Sequence, residues 1–301
     1  MIKDKIYQAQ CFGNIEPIEY MVPYPNLHSL AVGQCIKFSD NLLFMEDNLS
    51  NAAFLKLINQ YSNWLETKDI KKGDNVYIDN IPSPYFDIMC YAVWGIGATL
   101  VISDDKNASI EARLTINDPS IIEKINDSNI SKDYTTKVNV LLNDIAVQYY
   151  HKGKAIILSH YNLLINAYGI FKELNLLYNK SIKVDIPISN TAFIVLNTIL
   201  PLYAGTSITT NDPDIVFGSG KDSDYQILFD WNDLANTNPQ SLYVLPEATA
   251  ILAIGSKPNH LTSINVEEDS YKINGHSVMM GYLKNDQNTQ AFKNGSLVIS
   301  K

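Results

Sequence analysis

Cysteine is scarce in this chain: three residues, Cys11, Cys35 and Cys90, among 301. The number is odd and no spacing suits a metal ligand set, which argues against a disulfide framework or a zinc site. Reduced thiols in a cytoplasmic protein are expected. Long apolar runs are missing as well. The first ten residues hold no apolar core of signal-peptide length, and nothing approaches the roughly 20 apolar residues of a membrane span. The run over 194–203 is broken by Asn197, Thr198 and Pro201. Positive charge is not in excess: Lys and Arg number 23 against 32 Asp and Glu, a net charge of −9. That balance argues against a general nucleic-acid binder and leaves room only for a local basic site. No internal repeat, low-complexity linker or coiled-coil heptad is present.

What the chain does have is the material for a large core, with 46% hydrophobic and 18% charged residues. That is a globular balance, and the length suffices for two compact units. Residues 146–167 are the most informative stretch. An apolar run leads to a short basic tip, His151-Lys152-Gly153-Lys154, and a second apolar run follows over 155–158. Ser159 stands where a helix N-cap belongs, before Leu163, Leu164, Ala167, Ile170 and Phe171 at helical spacing. Strand, tip, strand and capped helix form a common site architecture, because the tip and the helix start both present N–H groups to an anion.

Around this stretch, residues 1–25 read as irregular, with Pro17, Pro23 and Pro25 discouraging a long helix. A short helix is expected over 29–36, capped by Ser29, then a small hairpin over 38–46 turning at Asp40-Asn41. Ser50 caps an amphipathic helix carrying Phe54, Leu57, Ile58, Tyr61 and Leu65. A strand over 75–79, a helix over 85–94 behind Ser83-Pro84, and a strand over 98–103 make a βαβ unit, which implies a parallel sheet. Strand-like runs cover 138–149, and an apolar helix covers 191–203. Beyond 211 the texture changes to short alternating runs. The tail reads as small strands separated by Asn-Gly turns at 274–275 and 294–295.

Four segments in order carry a resemblance. The first is Ile70-Lys71-Lys72-Gly73-Asp74 through Ser83-Pro84-Tyr85 to Gly95-Ile96-Gly97-Ala98-Thr99. The second is Lys154 to Leu163, and the third is Leu200-Pro201-Leu202-Tyr203-Ala204-Gly205-Thr206. The fourth is Gly275-His276-Ser277-Val278-Met279-Met280-Gly281-Tyr282 with Thr289 and Phe292. Together they resemble the adenylate-forming superfamily of acyl-CoA synthetases, peptide-synthetase adenylation domains and luciferases. The resemblance implies an α/β fold: the stacked αβ sheets of that family's N-terminal domain, a small distorted β-barrel, and no C-terminal lid. About 45–210 would supply the first and second sheet regions. About 211–301 would supply the rest of the second sheet and the small β subdomain.

The resemblance also locates the chemistry and finds it depleted. The family's phosphate loop, rich in Ser, Thr and Gly, falls on Tyr150-His151-Lys152-Gly153 before Lys154, about half the expected span, with no Ser or Thr and a single Gly. The adenine-binding segment falls on Tyr243-Val244-Leu245-Pro246-Glu247, where valine replaces the glycine that lets a ligand approach the backbone. The acyl-pocket pair falls on Ser189-Asn190, and the ribose-binding aspartate on Ile299-Ser300-Lys301. By resemblance, then, His151, Lys152, Lys154, Tyr243 and Glu247 form a vestigial nucleotide site, Ser189 and Asn190 border the acyl pocket, and Glu247 is the weak metal candidate. No catalytic residue and no cofactor are expected. The expected role is a binding or scaffolding component of a biosynthetic pathway, acting on an acyl ligand, a carrier protein or a partner enzyme, with a homodimer as a further possibility. The alternative is an AMP-forming ligase using ATP and Mg²⁺, completed by a lid supplied in trans. A Ser159-His160 hydrolase is weaker, since sequence neighbours rarely pair as nucleophile and base. His28, His260 and His276 read as ordinary histidines.

Overall fold

The computed structural model describes residues 1–229 and 238–301. A six-stranded sheet holds the βαβ unit, with strands in the order Gly281–Tyr282, Lys154–Ser159, Ile145–His151, Thr99–Ser103, Asn75–Ile78, Leu114–Ile116. Its centre is parallel, with Val76 opposite Leu100 and Leu100 opposite Val147, as the strand–helix–strand order requires. The helix between, Tyr85–Gly95, buries every residue after its first, so it is apolar all round rather than amphipathic.

A nine-stranded sheet gathers Leu42–Phe44 and Leu49–Ser50 with strands from Ser181–Asp185 to Lys257–Pro258. Helices Asn51–Thr67, Tyr85–Gly95, His160–Leu174 and the helical run 191–204 pack on one another between the two sheets. Tyr85–Gly95 rests on Thr99–Ser103, and the 191–204 run rests on Ser181–Asp185. Asp87 ties the two helices across this layer. Its buried carboxylate accepts from Ser83 and Thr198 hydroxyls and from the Asn197 amide, and burial pushes its pKa up. The third unit is a four-stranded antiparallel sheet, Thr262–Val266, Ser270–Gly275, Ser296–Ser300 and Phe292–Lys293, which does not close into a barrel.

Several local expectations are corrected. Residues 1–25 are not irregular throughout: Ile2–Gln10 is a helix, since all three prolines lie beyond it. It docks on the four-stranded sheet, and Gln10 Nε2 donates to the carbonyls of Val278 and Met279. The next helix, Leu27–Lys37, is capped by Asn26, whose side chain accepts from the Ser29 N–H; Ser29 lies inside the helix. The following hairpin pairs Phe44 with Leu49, so its turn covers 45–48 rather than Asp40-Asn41. The strand expected over 138–149 begins at Ile145, because Asp144 folds back to accept from the Leu141 N–H. A π-helical stretch, Ile194–Ile199, interrupts the 191–204 run.

Asn294-Gly295 forms the expected tight turn, with φ of 52° and 73° between the paired Lys293 and Ser296. Asn274-Gly275 does not turn. It lies in a strand opposite Thr262 and Ser263, and a Cβ on Gly275 would sit 2.1 Å from the Leu261 carbonyl oxygen. That glycine permits a close backbone approach.

Candidate functional site

The strands Ile145–His151 and Lys154–Ser159 pair down to His151 opposite Lys154, leaving Lys152 and Gly153 as the whole connection. Their φ values of 47° and 74° are those of a two-residue turn matched to strand twist. The basic tip is therefore a hairpin turn and not a loop that can wrap a ligand. Its Gly153 N–H donates to Asp105 Oδ2 at 2.9 Å.

His151, Lys152, Lys154, Asn190 and Glu247 converge on one cavity of about 420 Å³, whose apolar wall includes Val244, Leu245 and Pro246. Ile299, Ser300 and Lys301 close its far side. Ser189 is not part of it and faces two neighbouring clefts. Tyr243 is also missing from the lining: it is 4% exposed in the strand Ser241–Val244, and its neighbour Val244 faces the cavity in its place. Asn190 has a structural task, its side chain accepting from the Ala192 N–H at 2.8 Å to cap the next helix.

Glu247 lies at the cavity with its carboxylate engaged. Tyr282 donates to Glu247 Oε1 at 2.8 Å, and Lys154 Nζ stands 3.3 Å from the same phenol oxygen and 4.9 Å from the ring centroid. Burial, and then the charge and hydrogen bond of Glu247, push the Tyr282 phenol pKa up, so the phenol stays protonated and donating. Tyr282 was visible in sequence only as part of a late motif. Its role as the bridge between Lys154 and Glu247 comes from the pairing of Gly281–Tyr282 with Ile156 and Ile157.

Asp104, unmarked in the sequence, is the second residue that the fold adds. It follows the strand Thr99–Ser103 and reaches His151 Nδ1 at 2.8 Å, while Tyr149 donates to the same carboxylate. The only available sequence signal is its place at the carboxyl end of a parallel strand. Lys301 donates from Nζ to the Glu267 and Glu268 carbonyls and sits 5.2 Å from the Tyr271 ring centroid.

Around the turn the donors and acceptors are already paired: the Gly153 N–H donates to Asp105, Glu247 accepts from Tyr282, and Asp104 holds His151. Among the described residues no three His, Cys, Asp or Glu side chains converge to hold an ion.

No family model and no curated protein matches the sequence. Solved structures do match. Over 91% of this chain and 75% of that one, it is similar to O-succinylbenzoate coenzyme A synthetase from Bacillus subtilis, with a TM-score of 0.74 and 12% identity. The chain has the adenylate-forming fold. An artificially fused adenylation–PCP di-domain from Klebsiella oxytoca matches with a TM-score of 0.72 and 15% identity, over 94% of this chain and 69% of that one. The N-terminal domain of FACL13 from Mycobacterium tuberculosis matches with a TM-score of 0.69 and 12% identity, over 92% of this chain and 99% of that domain.

Within the adenylate-forming fold, Ser159 and His160 have structural tasks. Ser159 Oγ accepts from the Asn162 N–H at 3.1 Å as the helix cap. His160 Nδ1 accepts from the Leu27 N–H, and burial takes the ring pKa down to about 3. His276 contacts the Tyr161 hydroxyl through Nδ1 at 2.6 Å, and His28 is buried beside Gly95. No helix among the described residues is long and apolar enough to cross a membrane.

Proposed function

We propose that this chain keeps the frame of an adenylate-forming domain without activating an acid with ATP. It acts as a binding or scaffolding component of a biosynthetic pathway, taking an acyl ligand, a carrier protein or a partner enzyme. One observation carries the reading: the segment aligned with the phosphate loop is a two-residue turn whose glycine N–H is bonded to Asp105. Wrapping a triphosphate needs several free N–H and hydroxyl donors closing together. This turn has no length to close and no hydroxyl to add.

The cavity beside the turn supports the binding role, since Lys152, Lys154 and His151 border an apolar wall. Small-ligand sites combine such walls with a few polar groups. The test is ATP–pyrophosphate exchange over a panel of carboxylic acids, with and without candidate lid proteins, beside calorimetric titration with Mg-ATP. No exchange and no saturable ATP binding are expected. Robust exchange once a lid protein is added would establish the alternative, a ligase completed in trans, and overturn the proposal.

A further inference from the structure

His151 reaches the cavity already oriented. Its Nδ1 lies 2.8 Å from Asp104 Oδ2 and 3.0 Å from Oδ1, so the hydrogen on Nδ1 points at a carboxylate. Tyr149 donates to the same Oδ2; burial, and then the Asp104 bond, push that phenol pKa up and keep it a donor. The Tyr149 ring also stacks on the imidazole, with centroids 5.4 Å apart and planes 23° apart. Carboxylate and stacking together set the tautomer and the ring plane. Nδ1 carries the hydrogen, and Nε2 keeps its lone pair.

Nε2 makes no hydrogen bond to the protein among the described residues, and the ring lines the cavity of about 420 Å³. The His151 and Asp104 side chains are 20% and 30% exposed, so the pair is sheltered without being sealed. His160 shows the contrast: it is buried, and its Nδ1 is spent on the Leu27 N–H. A carboxylate on Nδ1 with a free Nε2 is the arrangement of a general base.

The rest of the lining narrows what that base can act on. Phe229, Leu245 and Pro246 offer an apolar wall to an acyl chain, and Lys152 and Lys154 bring positive charge to the same cavity. Such charge favours the anion that forms on a carbonyl oxygen under attack. Among the described residues Ser300 is the one hydroxyl of the lining, and it makes no bond to the imidazole. Water is the nucleophile left for Nε2. The Gly153 N–H, bonded to Asp105, gives no further donor to the oxyanion. A site so equipped needs a leaving group that departs as an anion, and a thiol, with an ordinary pKa of about 8.5, does so.

We propose that His151 is the general base of a thioester hydrolase site, with Asp104 as its positioning residue and a small acyl thioester as substrate. Nε2 takes a proton from water as the water oxygen bonds to the carbonyl carbon. The C–S bond then breaks, and the proton on Nε2 passes to the departing sulfur. One water is consumed, a carboxylic acid and a thiol are formed, and nothing is oxidised or reduced. The inference rests on the reading that this cavity takes an acyl ligand, and it adds turnover to it.

The probe is the hexanoyl thioester of N-acetylcysteamine, given to the whole chain, with thiol release followed by a thiol-reactive dye. Release over many turnovers, saturating with substrate, is expected. His151→Ala is expected to lower kcat by about a hundredfold, the usual worth of a general base. Imidazole added to that variant is expected to restore part of the rate and to leave the parent unchanged, which a merely structural histidine would not show. Asp104→Asn is expected to lower kcat by roughly tenfold or more with KM unchanged, because the amide no longer sets the tautomer. That variant keeps the question decidable if His151→Ala misfolds. The ketone with CH₂ in place of sulfur, titrated by calorimetry, reads binding alone. No release above the buffer rate, a His151→Ala protein as fast as the parent, or no response to imidazole would each overturn the proposal. Ketone binding without thioester turnover would overturn it and leave the acyl-binding reading standing; absence of both would remove the acyl ligand from that reading as well.

Discussion

Tyr282 donates its phenolic hydrogen to Glu247 at 2.8 Å, closing the carboxylate from above. Glu247 is only 8% exposed, so this bond is its main compensation for leaving water. Replacing Tyr282 with Phe keeps the ring under Lys154 and removes the hydroxyl that donates to Glu247 and accepts from Lys154. A loss of about 1–3 kcal/mol in urea unfolding is expected, the usual penalty for stranding one buried polar group. A Tyr282→Phe protein as stable as the parent would show that Glu247 finds water instead.

Glu46 fastens the start of the 209–214 loop. Partial burial opposes its charge, but the Thr209 hydroxyl and the Thr210 N–H and hydroxyl outweigh it and hold the pKa down to about 2; the Asn211 N–H donates as well. A carboxylate depressed in the folded state stabilises above its unfolded pKa of 4.5 and loses that contribution as pH falls toward 2. Unfolding midpoints measured from about pH 5 to about pH 2, roughly the window of this titration, are expected to fall less steeply in Glu46→Gln. Parallel slopes would remove Glu46 as a source of acid sensitivity.

The buried histidines act over a higher range. Burial takes His28 down to about 4 and His160 to about 3, so both are neutral in the folded chain. Below the unfolded value of 6.5 the unfolded chain binds protons that the folded one refuses, and stability declines as pH falls through that window. NMR titration is expected to leave both rings neutral at pH 5, a value roughly one unit or more above these pKa values. Protonation of either ring near pH 6.5, the ordinary value of about 6.5 for histidine, would contradict the burial.

Two glycines separate backbone strain from collision. Gly153 has φ 74° with open space around its missing Cβ, so Gly153→Ala is expected to cost about 1 kcal/mol. Gly275→Ala would drive a methyl group to 2.1 Å from the Leu261 carbonyl oxygen, and roughly 3 kcal/mol or more is expected. Chemical unfolding of both variants measures the difference. Equal losses would mean that the strands around Gly275 separate more easily than their pairing suggests.

What the sequence determined by itself is the frame. Hydrophobic periodicity and cap chemistry are local, and they located Ser50 and Ser159 as helix caps, the βαβ unit around Tyr85–Gly95, and the Asn294-Gly295 turn. The shortness of the 150–153 tip and its lack of serine and threonine were also legible, and resemblance had named Lys154 and Glu247, which line one cavity. Only the tertiary structure decided how those groups are used. Asp105 on the Gly153 N–H, Asp104 on His151, and Tyr282 between Lys154 and Glu247 join segments far apart in the chain, and no periodicity encodes such pairs. Tyr243 fell outside the cavity for the same reason, since strand pairing sets which side chain faces a ligand and the residue type does not.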